Sequence, residues 1–503
     1  MFDSFMTASR SIRRAALPLA LACSSSNLIA QTPMSLPDIV VTAPRFSELA
    51  APLPFGVSVL TAEQIRASGA ATVNEALMRL LGIVGRQDFF GGGEYGLDLR
   101  GFGSAADVNQ VVIVDGVRVS EPDLGGTRLA GIPIESVERI EVLRGSGAVL
   151  YGEGATGGVI VITTKAGAAR ERRHAASLYA GAGSQGLRDV RASGSAAGGA
   201  FAIDAAAQRR TSDNHRQNFR SERDAVSVAG EWAGESLRLG ARLARDDLAA
   251  GLPGALTAAQ YAADPGQSTT PADHAGIRTS RASVHAAADW GAWQFAADAG
   301  TREKQLRSTN SGFAFDYDTD ASNASLRARH EAKVGSATNM VVFGTDHARW
   351  ERDVLGAYGS TASQSTHGWY AKDDLTLAGG TRLTAGLRTE RMAKDASNAA
   401  AGLADRLTAW ELGASTPLAS AVTVYGRAGR SFRLANVDEF SFTAPGLALR
   451  PQTSRDLELG ARWSYGDGKA DVRAWRSALA NEIGFDPNAA GPFGTLGANV
   501  NFD

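Results

Sequence analysis

The sequence predicts a transmembrane antiparallel β-barrel with a small α+β domain ahead of it. Three observations carry that expectation. They are an export signal, roughly fifteen runs alternating apolar and polar residues from about residue 173 onward, and light apolar faces set against heavily charged ones. At 503 residues the chain exceeds one compact core, so several domains or one large closed structure are expected.

The export signal comes first. In "ASRSIRRAALPLALACSSSNLIAQ", Arg10, Arg13 and Arg14 precede a short apolar core, Ala15 to Ala22, with small and polar residues after it. That core is far shorter than the roughly 20 residues a spanning helix needs, and cleavage after Ala30 leaves Gln31 first in the mature chain. Cys23 is the only cysteine, so disulfides, thiolate metal sites and cysteine nucleophiles drop out of the mature protein. The 51 Lys and Arg nearly balance the 53 Asp and Glu, which gives no reason to expect a nucleic-acid partner. No apolar run reaches the roughly 18 residues of a helical span, so any membrane crossing must use strands.

The α+β domain follows. "FGVSVLTAEQIRASGA" runs from a strand into a helix capped by Thr61 with Gln64 three residues on. "ATVNEALMRLLGI" repeats the capping box with Thr72 and Glu75, and sets Leu77, Leu80 and Leu81 on one helical face. Three apolar strands come next: "QVVIVDGVRV", itself a candidate hairpin about Asp115-Gly116, then "VERIEVLRG" and "GGVIVITTK".

From about residue 173 the period is two. "SLRLGARLAR" puts Leu237, Leu239, Ala241 and Leu243 opposite Arg238, Gly240 and Arg242, and "TRLTAGLRTER" and "RDLELGARW" do the same. Separators of uneven length suit short turns alternating with long loops. All eight Trp lie at 232 or beyond, with Trp232, Trp290, Trp350 and Trp463 at strand ends as an interfacial girdle requires.

Gly152, Gly154 and Gly157 in "LYGEGATGGVIVITTK" have the G-x-G-x-x-G spacing of a dinucleotide site. Such a site must open a helix whose N-terminus holds the pyrophosphate, yet a β-branched strand follows here. The glycines are therefore expected to serve tight turns and close packing.

"VERIEVLRGSGAVLYGEGATGGVIVITTK" and "LDLRGFG...NQVVIVDGVRV" resemble the plug domain of TonB-dependent outer-membrane receptors, and residues 55–167 follow that pattern almost throughout. One departure is Leu81 in "LLGIVGR", where the family usually has Pro before Gly. Ahead of the plug, "PDIVVTAPR" is similar to the TonB box. Asp38, Ile39, Val40, Val41, Thr42 and Ala43 are strand-prone, sit between two prolines and are suited to adding as a strand to the TonB protein. "GRSFRLANVDEF...LRPQTSRDLELGARW" resembles a recurrent barrel block that normally lies well before the end. The family barrel has about 22 strands around a plugged lumen. About 15–16 are counted here, so the barrel is expected to be partial, from a C-terminally truncated product lacking roughly a quarter to a third of it.

The resemblance implies residues 1–30 as signal peptide, 31–48 as TonB box and periplasmic linker, 49–167 as a plug in the lumen and 168–503 as barrel. It implies an outer-membrane monomer among lipid, with no enzyme activity or cofactor, that imports a scarce extracellular metal chelate. A ferric siderophore is the first reading; a cobalamin or haem receptor, or a passive pore or adhesin barrel, remain alternatives. By position in that fold, Phe89, Phe90, Tyr95, Glu121, Asp123 and Arg128 are candidate ligand-facing residues of the plug loops. Arg100, Arg144 and Glu153 are candidates for pairing with barrel charges, because a confined wet interface needs paired ions.

Overall fold

The computed structural model describes residues 40–502 except 42–44, 51–52, 166–173, 358, 445, 466–467 and 493. The export signal over 1–30 and the box residues Asp38, Ile39, Thr42 and Ala43 lie outside the described residues.

Two short strands open the described chain, β1 (Val40–Val41) and β2 (Glu48–Leu49), and they pair with each other antiparallel. A five-stranded sheet follows, built from β3 (Val57–Thr61), then, beyond the hairpin of β4 (Val84–Gln87) and β5 (Tyr95–Asp98), β6 (Gln110–Val114), β7 (Val117–Arg118), β8 (Val137–Arg144) and β9 (Gly158–Thr164). Its order is β3-β8-β9-β6-β7, with only β6 and β9 parallel. Asp115 and Gly116 both take positive φ, +48° and +85°, so the β6–β7 turn is the mirror-image type that matches strand twist.

Two helices pack on this sheet. α1 (Ala62–Ala67) has its full capping box, Thr61 accepting from the Gln64 amide and Gln64 returning to the Thr61 amide. α2 (Val73–Leu81) differs from the expected box: Thr72 accepts from the Glu75 amide, but Glu75 accepts from the Ala71 amide, one residue before the cap. Its buried face also differs. Val73, Ala76 and Leu77 are buried in the cluster that holds Ile140, Ile160 and Val112, and Leu81 packs against it, whereas Leu80 is exposed. Gly82 ends it in the left-handed conformation at φ +60°, the role a glycine C-cap fills without a proline before it.

The second half is one large antiparallel sheet. Fifteen of its sixteen strands follow one another in chain order, from Ala175–Ala182 to Gly468–Ala480, and Phe313–Ala314 pairs at the side. The strands Glu482–Ala490 and Leu496–Phe502 form a separate pair. Among the described residues the two edge strands of the large sheet do not pair with each other. Turns at 199–200, 234–236, 291–292, 335–336 and 420–421 mark one end. Longer connections at 213–220, 252–273 and 434–451 mark the other, the asymmetry of an outer-membrane barrel.

Burial in this sheet is the reverse of a soluble protein. Leu243 is 66% exposed and Leu459 60%, while Arg223 and Lys372 are 2% exposed. Period-two alternation sends one face outward and the other toward the α+β globule. Trp290 and Trp463 project outward near the short turns, but Trp350 does not join a girdle. It is buried inward, donating to Glu121, because its parity along the strand Ala337–Val354 is lumenal. Leu243→Arg at mid-strand is expected to cost about 2–4 kcal/mol, read as an earlier urea midpoint for unfolding from bilayers.

Candidate functional site

The α+β globule lies against the inward faces of barrel strands from Arg188–Gly198 to Gln452–Tyr465, joined by buried ion pairs. Two regions stand out, a mouth at the long-loop end and a tail at the short-turn end.

At the mouth, β4 and β5 support the loop 88–94. Asp88 accepts from the Phe90 amide at 2.9 Å, and Gly91, Gly92 and Gly93 all take positive φ, which a Cβ opposes. A Cβ on Gly92 would also stand 2.6 Å from Leu248 Cδ1. Gly92→Val is therefore expected to cost about 1–3 kcal/mol locally, seen as faster proteolysis within 88–94. The loop carries Phe89, which is 57% exposed, edge-on to Phe90 at 5.3 Å. Phe90 leans on the cluster of Leu248, Ile277 and Leu306, and Tyr95 turns away to pack on the globule's own core.

The loop 120–128 is held by charge. Glu121 meets Arg302 at 2.9 Å and Lys304 at 3.2 Å, and accepts from Trp350 Nε1. Burial pushes its carboxyl up, but those two cations outweigh it and hold it below the usual range. Asp123 pairs with Arg352 at 3.3 Å, and there burial wins and its carboxyl titrates high. Arg352 also holds Asp438 at 2.6 Å, on α3 (Val437–Ser441) of the long connection 434–451. The Val437 amide donates to Pro122 O, and the Leu124 amide to Asp438. Arg128 lies 4.0 Å from Asp246. Glu121, Asp123 and Arg128 are thus buried against barrel charges, and the exposed mouth surface includes Phe89 and Leu124 with Tyr261 of the connection 252–273 and Phe313 and Phe315 of the connection 311–316. Sequence reasoning passed over those three aromatics, whose only signal is apolar bulk inside polar separators.

Deeper in the interface, Glu153 bonds Lys394 at 2.7 Å and accepts from the Leu434 amide at 3.0 Å, and Arg100 bonds Glu458 at 2.5 Å beneath the Trp475 ring. Arg144 instead donates to Leu81 O at 2.8 Å, within the globule. Gly152 approaches the barrel so closely that a Cβ would stand 2.3 Å from Glu390. The glycines are followed by β9, so no helix N-terminus faces them. Among the described residues no group of three or more His, Cys, Asp or Glu is placed to hold a metal.

At the tail, Val41 is fully buried and pairs with Glu48. Between them Arg45, at φ +77°, donates to Leu150 O at 2.9 Å and 2.5 Å, meets Asp346 at 3.1 Å and covers the Tyr151 ring at 4.4 Å. Glu48 pairs with Arg382 at 2.8 Å. Parity marks Asp346, Arg382 and Lys394 as lumenal, but only the fold shows which plug residue each one meets.

A charged globule stoppering a curved antiparallel sheet, apolar outside and ion-paired inside, defines a plugged outer-membrane receptor. Residues 51–159 match the TonB-dependent Receptor Plug Domain and residues 167–502 the TonB dependent receptor-like, beta-barrel family, and the chain belongs to the TonB-dependent receptors. These are outer-membrane receptors and transporters, not enzymes. It is 36% identical over 184 residues to the vitamin B12 transporter of Photobacterium profundum, a match covering 37% of this chain and 29% of that one. The vitamin B12 transporter of Vibrio cholerae (strain M66-2) is 36% identical over 183 residues, 36% of this chain and 29% of the relative. These alignments span less than a third of the relatives' length. Among solved structures, the unliganded ferric citrate transporter superposes with a TM-score of 0.74 at 19% identity, covering 86% of this chain and 71% of that one. The siderophore receptor PiuA of Acinetobacter baumannii gives 0.73 at 14% identity, with 90% and 75% coverage.

Proposed function

We propose that this chain imports a scarce metal chelate, a ferric siderophore by first reading, across the outer membrane by a pull from TonB on residues 38–43. In this reading residues 1–30 are the export signal, 31–48 the box and linker, 49–167 the plug and 168–503 the barrel. The observation that carries it is the globule bonded to inward-facing barrel residues from mouth to short-turn end: passage requires the plug to move, and its tail is the handle nearest the periplasm. Phe89 and Leu124 of the plug loops would meet ligand first, with Glu121, Asp123 and Arg128 supporting them from below. A cobalamin is the second reading, favoured by the vitamin B12 transporters among the relatives.

The test is uptake by cells expressing the full chain or the chain lacking 38–43, with radio-iron-loaded siderophores and labelled cobalamin as probes. Surface binding unchanged and accumulation abolished by the deletion is the expected result. Accumulation that survives the deletion would mark a passive pore and overturn the proposal.

A further inference from the structure

The outward face of the barrel carries charges near the mouth end of its strands, and over much of the wall they are matched. Arg209 pairs with Glu222 and Asp224, Arg245 and Arg278 share Asp247 at 2.8 Å and 2.7 Å, and Arg349 bonds Glu351. One sector is different. On the consecutive strands Arg382–Ala396, Leu403–Ala419, Val422–Arg433 and Gln452–Tyr465 the outward charges are Arg391, Arg406, Arg430 and Arg455. Each stands three to five residues from the mouth end of its strand and shares the outward parity of Leu387, Trp410 and Leu457. Arg391 is the direct cross-strand partner of Arg406, and Arg430 of Arg455. Like charges placed so, with Cβ atoms about 5 Å apart, destabilise a sheet. Among the described residues none of the four has a carboxylate within salt-bridge distance. The acids of these strands lie elsewhere. Glu390, Asp405, Glu411, Asp456 and Glu458 have inward parity; Glu390 bonds Arg388, Asp456 accepts from Ser454 and Ser477, and Glu458 bonds Arg100. Asp395 faces outward but is four residues beyond Arg391, about 13 Å along the strand. A fifth arginine, Arg476 on the edge strand Gly468–Ala480, shares a cavity with Glu482 and so has an acid at hand.

Two repelling guanidinium pairs on one exposed wall fit an anionic partner from outside the chain. Below them, toward the short turns, the same face presents Leu387, Trp410, Leu412, Leu457 and Leu459, all exposed. In an outer-membrane barrel that apolar band meets acyl chains. A molecule covering both levels is therefore acylated below and anionic above, and phosphate oxygens match the guanidinium fork. Arg406 and Arg430 are one strand and four residues apart, about 14 Å, so each pair takes its own anionic group. We propose that this sector binds one outer-leaflet glycolipid bearing two phosphates, one phosphate for each arginine pair, with its acyl chains along the leucine band. The site is independent of which ligand the receptor imports, since it faces away from the plug.

The test uses the full chain in detergent, with diphosphoryl lipid A as probe and phosphatidylglycerol as the competing anionic lipid, and reads bound lipid by native mass spectrometry. The native chain is expected to retain one diphosphoryl lipid A in preference to phosphatidylglycerol. The double variants Arg391→Gln with Arg406→Gln, and Arg430→Gln with Arg455→Gln, are each expected to bind it roughly thirtyfold more weakly. Arg209→Gln with Arg278→Gln removes the same net charge from the matched part of the wall and is expected to bind as the native chain does. Without lipid, the first two doubles are expected to unfold no earlier than the native chain, because each relieves a like-charge pair. Equal binding in the native chain and those doubles, an equal loss in the Arg209 and Arg278 double, or phosphatidylglycerol held as tightly as the diphosphorylated probe, would overturn the proposal.

Discussion

Lys394→Met is expected to destabilise the plugged state by about 3–5 kcal/mol at neutral pH, because it leaves the Glu153 carboxylate charged and buried without its partner. In the native chain burial pushes the Glu153 carboxyl up, but Lys394, Arg118 and the Leu434 amide outweigh it and hold it below its ordinary range. A depressed folded-state value means the contribution of Glu153 is complete above its unfolded value of about 4.3 and is lost as pH falls through the lower folded one. In the variant the sign reverses. With the ammonium gone, burial dominates and the folded value rises above the unfolded one, so the folded state takes up a proton more readily and regains stability as pH falls. Unfolding in detergent at pH 5 and pH 8 should therefore show the Lys394→Met deficit shrinking in acid, while the contribution of Glu153 in the native chain is complete at both values and does not change between them. Adding Glu153→Gln to Lys394→Met should recover most of the loss. A deficit independent of pH would show that lost packing, not the stranded charge, is the cause.

Arg45→Ala is expected to free the tail. Arg45 ties the segment after β1 to the carbonyl of Leu150 and to Asp346 of the barrel, and its guanidinium lies over Tyr151. Hydrogen bonds to a charged group are worth about 1.5–3 kcal/mol each and the ring contact about 0.5–2. Asp346 keeps Arg388 at 2.7 Å, so no carboxylate is stranded and the net change is about 3 kcal/mol. That corresponds to roughly a hundredfold shift toward the released tail. Amide hydrogen exchange across residues 40–49 is the measurement, and a comparable acceleration is expected there while exchange in β8 and β9 stays unchanged. Exchange quickened throughout the plug would mean that Arg45 supports the whole domain.

Much of the fold was legible in the chain because strands and helices impose different periods. Leu243 opposite Arg242 marks a two-sided strand whatever it pairs with, and Thr61 with Gln64 marks a helix start without reference to anything distant. The Gly152 motif was separable from a nucleotide site because the β-branched run after it fixes a strand. Local rules misjudged residues whose role depends on a distant surface. Leu80 is exposed although its neighbours Leu77 and Leu81 pack on the core, and Trp350 sits near a strand end but points inward to Glu121.

The sequence by itself determined the two-part architecture, the alternating barrel wall, the plug and the polarity of each strand face, since these depend on hydrophobic period and near-neighbour capping. Only the tertiary structure decided that Glu121, Asp123 and Arg128 are buried in ion pairs beneath the mouth, that Arg144 stays within the plug, and that Arg45 clamps the tail to Asp346. Parity reveals which side a charge faces, but partners 105 and 301 residues apart along the chain, as with Leu150 and Asp346 for Arg45, meet only where the plug seats against the inner face of the curved sheet. In a desolvated interface it is that meeting, not the charge alone, that sets the energy.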